Sequence, residues 1–314
     1  MSNMNNNISK SMSYLLRHGL EKENINHCNG FVLIDDLIGW LQKNNTNINV
    51  THDDIENIVK EDKKQRYQLQ GNKIRASQGH SIEIEMNFEK LNSIKEVYPL
   101  VHATYKDSVN LINESGLKSM SRTHIHFASI KTNDFKMIRK DTDTYCVLKK
   151  NYQKDIFKSE NNVYLSKEIV SKEDFNIVTF TKKLNCYGGI IFDEKLENII
   201  VVETDKNNIG FPKGKRHREE LPFETALREV NEETSLEIEN INFIENIISI
   251  DEMSSNGNTL SIGYFIGWTS KSDLQMKDKE ELQSVRWVKI IDAISLLSEK
   301  RKIVLEKVLD IIRK

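Results

Sequence analysis

Thiols are scarce in this chain. Its three cysteines, Cys28, Cys146 and Cys186, are far apart and form no CxxC pair. That argues against a disulfide framework or a thiolate zinc site and for a reducing compartment, so the expected location is cytoplasmic or nuclear and not secreted. No apolar run approaches the ~18–20 residues that cross a bilayer, which removes the membrane from the expected partners. The opening MSNMNNNISK lacks the basic-then-apolar order of a secretory signal and reads as a short disordered leader. Neither sign of charge dominates: 45 Lys and Arg against 47 Asp and Glu leave a net charge of −2. A nucleic-acid partner would therefore be met by a local basic site and not by a global field. There is no Gly-rich phosphate loop and no internal repeat.

What remains suits a globular α+β protein. The 314 residues are 38% hydrophobic and 29% charged, enough for about two domains. Ser9–Leu20 reads as a helix with Met12, Leu15, Leu16 and Leu20 on its apolar face and Gly19 as its C-terminal cap. A short strand, FVLI, leads into a helix around DDLIGWL. THDD at 51–54 reads as the capped start of the next helix. Two strands around Gly71–Asn72 read as a hairpin. Helices followed by a β-hairpin outline a small winged-helix module. Met86–Glu96 is expected as a linking helix. Beyond it lie short strands (PLVHAT, IHFASI, TYCVLKK, NVYLS) and one helix, Asp107–Ser115, ending at Gly116. The polar linker Thr179–Asn185 precedes two apolar strands, CYGGIIFDE and NIIVVET. Strands at Leu260–Trp268 and Val285–Ile290 and one or two amphipathic helices over Asp292–Arg313 complete the chain.

The stretch Gly214–Leu236, GKRHREELPFETALREVNEETSL, carries the clearest chemistry. It reads as a loop feeding an acidic helix. Glu229, Glu232 and Glu233 fall at i, i+3 and i+4 and share one face. Phe223, Ala226, Leu227 and Val230 form the core-packing stripe. Three carboxylates on one face repel one another, and a hard divalent cation such as Mg²⁺, shared with a phosphate substrate, offsets that repulsion.

Gly214, Glu220, Arg228, Glu229, Val230, Glu232, Glu233 and Leu236 also match the Nudix box, in which G is followed after five residues by E and after seven more by REUxEExGU. Ser235 stands where the family has glycine. The segment resembles Nudix hydrolases, which cleave nucleoside diphosphate derivatives with water and Mg²⁺ or Mn²⁺. The resemblance implies metal binding by Glu229, Glu232 and Glu233, with Glu229 and Glu233 catalytic. Arg228 would orient a glutamate, and Glu220 would support the metal shell. GFPKGKR upstream is similar to the decapping, dinucleoside-polyphosphate and diphosphoinositol branches alike. Glu280 or Glu281 is a candidate for a further ligand or base.

In the first half, SKSMSYLLRHG, KIRASQGHSI, LVHAT, GLKSMSRTHIHFAS and SENNVYLS, in that order, resemble the tRNA 2′-phosphotransferase (KptA) family. The family's reaction moves an RNA 2′-phosphate onto NAD, giving nicotinamide and ADP-ribose 1″,2″-cyclic phosphate without a metal. The resemblance implies that Arg17, His18, Arg75 and Arg139 clamp the phosphate. It implies that His102, Thr104, Arg122, His126, Ser159 and Asn161 line the NAD pocket. Arginine suits such a clamp, since its planar fork pairs with phosphate oxygens two at a time. Ala103 replaces the glycine of the family's HGT, and the family's Gly-Met-Arg segment is present only in loose form around Arg139.

The fold expected is α+β. A winged-helix lobe (8–92) and an ADP-ribosyltransferase-like mixed β lobe (97–178) would be followed by an α/β/α Nudix domain (184–314). The function expected is a bifunctional enzyme. The first half removes a 2′-phosphate from RNA, tRNA foremost, using NAD as co-substrate. The second hydrolyses a nucleoside diphosphate-linked substrate, with the ADP-ribose product a natural candidate. The alternative makes the first half an RNA reader that delivers substrate to a decapping-type or dinucleoside-polyphosphate hydrolase.

Overall fold

The computed structural model describes residues 2–44, 49–131, 137–139, 141–179, 185–204, 208–217, 220–237, 240–253, 259–277 and 282–313. Much of the expected linker at 179–185, and Glu280 and Glu281, lie outside them. The chain forms two compact units. The first holds Met1–His102, Asn110–Ser129 and Lys150–Asp174; the second holds Ala103–Val109, Ile130–Lys149 and Phe175–Lys314.

The first unit opens with α1 (Ser2–Tyr14), which continues into one π-helical turn, Leu15–Gly19. The Asn-rich start expected to be a leader is thus helical. Gly19 is no left-handed cap: it is the last residue of the wide turn, and Leu20 behind it is right-handed (φ −54). Met12, Leu15, Leu16 and Leu20 are buried as expected. They pack with β1 (Val32–Leu33), α2 (Ile34–Asn44) and α3 (His52–Glu61) through Val32, Leu37, Leu41 and Ile55. Truncating a core leucine such as Leu16 to alanine would cost about 2–5 kcal/mol. Thr51 caps α3 in a reciprocal box with Asp54, as THDD predicts. β2 (Tyr67–Gln70) and β3 (Lys73–Ala76) form the hairpin, with Gly71 supplying φ +57, and β1 adds to β3 to complete a three-stranded sheet.

The linking helix expected over Met86–Glu96 does not form. That stretch holds β4 (Glu89–Lys90) and a single 3₁₀ turn, Ile94–Glu96. Tertiary pairing outcompetes local propensity here: the Leu91 amide bonds the Ile156 carbonyl at 2.9 Å, and the Ser93 hydroxyl accepts from the Lys95 amide. Next come β5 (Leu100–Thr104), α4 (Val109–Ser115), β6 (Ile125–Ser129) and β7 (Thr144–Leu148). β8 (Phe157–Lys158), β9 (Tyr164–Ser166) and β10 (Phe175–Thr179) follow. Within the first unit the antiparallel order is β5-β6-β9-β8-β4. Gly116 closes α4 at φ +73, where a Cβ would meet the Val170 carbonyl at 2.5 Å.

In the second unit β7 pairs with β10. The rest is built on β11 (Cys186–Asp193) and β12 (Asn198–Thr204), then β13 (Ile209–Gly210), β14 (Lys213–Lys215) and α5 (Pro222–Thr234). It ends with β15 (Asn242–Met253), β16 (Thr259–Thr269), β17 (Leu282–Lys289), α6 (Ile290–Leu296) and α7 (Glu299–Ile312). The strands run β13-β12-β11-β16-β15, with β14 on β11 and β17 on β12, and β11 is parallel to β16. Strand alternation sends Ile190 and Phe192 into one core with Leu305 and Val308 of α7. It sends Ile191 and Ile200 to the other face, against Val230 of α5. Helices therefore cover both faces of this sheet.

Candidate functional sites

In the first unit the π-helical turn presents Arg17 and His18. Such a turn adds a residue to the helical circuit and recurs at functional sites. The Arg17 carbonyl accepts from both the amide (2.9 Å) and the hydroxyl (3.2 Å) of Ser81, which fastens the Ser77–Ser81 loop to it. Gly79 in that loop sits at φ +88, against the Arg17 side chain. Burial, with the nearby Arg122 and Arg66 charges adding to it, lowers the Arg17 pKa to about 10. The group stays cationic at neutral pH, yet its Nε is buried with no hydrogen-bond partner among the described residues. Burial and then the Arg122 and Arg17 charges lower the His18 pKa as well.

Arg75 lies on β3, opposite Gln68 of β2. Its guanidinium lies over the Phe31 ring at 4.3 Å. Arg122 approaches His126, Nη1 to Nδ1, at 3.3 Å. If the guanidinium donates, the imidazole proton sits on Nε2, which is buried without a hydrogen-bond partner among the described residues. Burial pushes the His126 pKa well down, so the ring is neutral. His102 bonds the His126 carbonyl through Nδ1 at 2.9 Å. Ser159 and Asn161 are each 2% exposed. They bond within their own turn, to each other and to Val163, while the Asn161 amide also reaches the Lys64 carbonyl. Arg139 and Thr104 belong to the second unit. Arg139 is exposed and its carbonyl accepts from Thr142; the Thr104 carbonyl accepts from the Asp143 amide.

Two polar groups that sequence reasoning passed over join this cluster. The His80 Nε2 and the Gln78 Oε1 are buried with no hydrogen-bond partner among the described residues. Burial, helped by Arg17 and Arg75, lowers the His80 pKa to about 4, so it too is neutral. Both residues belong to the RASQGH segment that marks the family, which was the available signal.

In the second unit, α5 starts with Pro222 at its first position and the Leu221 amide bonded to Glu224 at 2.6 Å. Phe223, Ala226 and Val230 are buried, as the stripe predicts. Arg228 is the hub of the opposite face. Its Nε and Nη2 donate to Glu220 at 2.6 and 3.0 Å, and its Nη1 donates to Glu229 at 2.6 Å and Glu232 at 2.9 Å. Burial would raise the Glu220 pKa, but the Arg228 hydrogen bonds overcome it and hold the group at about 2. Burial prevails at Glu229 and raises its pKa despite Arg228.

Two strand glycines near α5 leave no room for a side chain. A Cβ at Gly214 would lie 2.0 Å from Glu229 Oε2, so this carboxylate rests on bare backbone. A Cβ at Gly188 would lie 2.0 Å from the Pro212 carbonyl, so β11 accepts the loop only without a side chain there. The Lys213 amide donates to Glu233 at 3.0 Å. Ser235, in place of glycine, caps α5 at φ +59 and donates its hydroxyl to the Gln275 carbonyl at 2.8 Å.

Among the described residues no three carboxylate, imidazole or thiolate groups already converge on one point. The donor set still fits a hard divalent ion. It offers three carboxylates on one face, one of them half-buried with its pKa raised by that burial.

Comparison with known proteins finds two families along the chain. The RNA 2′-phosphotransferase, Tpt1/KptA family profile matches residues 3–168, and the NUDIX domain profile matches residues 183–308. A probable RNA 2′-phosphotransferase of Fusobacterium nucleatum is 35% identical over 179 residues, covering 52% of this chain and 94% of that protein. The tRNA 2′-phosphotransferase 1 of Danio rerio is 34% identical over 131 residues, 38% of this chain and 56% of that protein. Among solved structures, a C. elegans Ap4A hydrolase aligns with a TM-score of 0.38 at 19% identity, over 41% of this chain and 98% of that one. The chain belongs to the RNA 2′-phosphotransferase, Tpt1/KptA family and carries a NUDIX domain behind that region.

Proposed function

We propose that the protein removes 2′-phosphates from RNA with NAD and hydrolyses the resulting ADP-ribose derivative. The organisation is a winged-helix lobe at 8–92, an ADP-ribosyltransferase-like lobe at 97–178 and a Nudix domain at 184–314. One observation carries the first half of this reading: the buried Arg17 Nε, on a cationic guanidinium, has no hydrogen-bond partner among the described residues. A buried donor that lacks a partner is costly, and an incoming phosphate dianion supplies that partner. Within the first unit, Arg17, His18 and Arg75 form the clamp. In the same unit, His102, Arg122, His126, Ser159 and Asn161 form the NAD side.

In the first step a 2′-phosphate oxygen bonds to the nicotinamide-ribose carbon as the glycosidic bond to nicotinamide breaks. In the second, the 2″-hydroxyl attacks the phosphorus, the RNA 2′-oxygen leaves with a proton, and ADP-ribose 1″,2″-cyclic phosphate is released. The clamp arginines stabilise the charge on the phosphoryl oxygens in this step. That product contains a pyrophosphate, the linkage class that a Nudix site cleaves. There Glu229, Glu232 and Glu233 would hold Mg²⁺ or Mn²⁺, with Arg228 and Glu220 orienting them. The ion, when bound, offsets pyrophosphate charge and lowers the pKa of the attacking water.

The test gives the full chain a 2′-phosphorylated RNA, NAD and Mg²⁺ and resolves the products by chromatography. Nicotinamide should appear stoichiometrically with dephosphorylated RNA, and the cyclic phosphate should then be split at its pyrophosphate. Absence of nicotinamide would make the first half a reader of RNA. Intact cyclic phosphate as the end product would detach the second activity from the first.

A further inference from the structure

Arg75 is held on several sides before any ligand arrives. Its Nε donates to Gln68 Oε1 at 2.6 Å, its Nη1 reaches the Asn29 carbonyl at 3.4 Å, and one face of the guanidinium lies on Phe31. The Gln68 side chain is itself held: its Nε2 donates to the carboxylate of Glu160. Gln68 and Arg75 are directly opposed across the β2–β3 hairpin, and Glu160 comes from the turn between Ser159 and Asn161.

The chemistry of these three side chains makes the order directional. A carboxylate only accepts hydrogen bonds, and a guanidinium only donates them. A glutamine between the two can satisfy both in one orientation alone, amide nitrogen toward Glu160 and oxygen toward Arg75. Without Glu160 the amide is free to turn over and set its NH₂ against the Arg75 Nε–H. With Nε occupied by Gln68, the edge left for a phosphate is the terminal Nη1/Nη2 pair.

We propose that Gln68 and Glu160 are positioning residues for Arg75, fixing its guanidinium so that the terminal nitrogens face the RNA 2′-phosphate, and that they thereby set affinity for phosphorylated RNA and not for NAD. This rests on the proposed role of Arg75 in the clamp. It also ties the turn carrying Ser159 and Asn161 to the phosphate side, since Asn161 bonds the Lys64 carbonyl three residues before β2.

The test measures nicotinamide release by the full chain, with kcat and KM determined separately for 2′-phosphorylated RNA and for NAD. Gln68→Leu and Glu160→Ala should each raise the KM for the RNA by about 10-fold, the scale of one lost hydrogen bond to a charged group, with the NAD KM unchanged. Glu160→Gln retains an acceptor for the Gln68 amide and should fall between wild type and Glu160→Ala. Glu160 is exposed, so its variants fold even if Gln68→Leu does not. Arg75→Ala serves as the control. Full nicotinamide release by that variant would refute the clamp itself. Loss of release by Arg75→Ala alongside wild-type RNA KM values in both Gln68→Leu and Glu160→Ala would overturn the positioning role alone. An equal rise of both KM values would overturn it as well.

Discussion

Glu220→Gln tests the hub around Arg228 most directly. Glu220 accepts two Arg228 hydrogen bonds, at 2.6 and 3.0 Å, one from the Thr225 hydroxyl at 3.0 Å and one from the His217 amide at 3.0 Å. Glutamine keeps a single acceptor oxygen, and its NH₂ would face the Arg228 donors. At least one charge-assisted bond is lost and another becomes a weaker neutral one. The Glu220 and Arg228 side chains are 18% and 22% exposed, so solvent screens part of the effect. The expected loss is about 2 kcal/mol at neutral pH.

The pH dependence gives a second handle. The folded pKa of about 2 lies below the ordinary 4.5. The stabilisation is therefore complete above the ordinary value and is lost as pH falls from there through the folded value. The gap between wild type and variant should shrink over that window. Urea unfolding followed by tryptophan fluorescence measures it, in a Trp40→Phe background that leaves Trp268 and Trp287 of the second unit as the reporters. A gap under about 0.5 kcal/mol at neutral pH, or one that persists unchanged at the acid end, would refute the reasoning.

Three further outcomes follow from named contacts. Gly214→Ala displaces the Glu229 carboxylate and should weaken Mg²⁺ or Mn²⁺ binding by about 10-fold in calorimetry, a support-residue effect, while leaving nicotinamide release intact. Ser235→Ala keeps the left-handed cap but loses the bond to the Gln275 carbonyl, so it should destabilise by about 1 kcal/mol. Ser235→Gly loses the same bond but relieves the φ strain, and urea unfolding should place it closer to wild type. His80, held at about 4 by burial and its cationic neighbours, should titrate by NMR in that acid range, and Arg17→Ala should move its pKa upward.

The α5 face, the box and the hairpin were legible in the order of residues, because these rest on local rules. A 3.6-residue period fixes which side chains of Phe223–Val230 are buried, and Gly71–Asn72 fixes a turn. The sequence also marked Arg17, His18 and Arg75, through segments in which several residue types recur in a set order. Features that depend on remote partners were not legible. Met86–Glu96 has a helical pattern, but Ile156 takes the Leu91 amide and the stretch extends instead. Tyr145, from a strand read as part of the NAD lobe, stacks on Phe223 at 5.7 Å, inside the compact unit that holds α5. Nothing in the order of residues brings Glu160 to Gln68, 92 positions away, or shows that Glu229 rests on Gly214. Periodicity and turn chemistry act over a few residues, whereas the bonds that aim Arg75 and Glu229 exist only once distant strands and loops have packed.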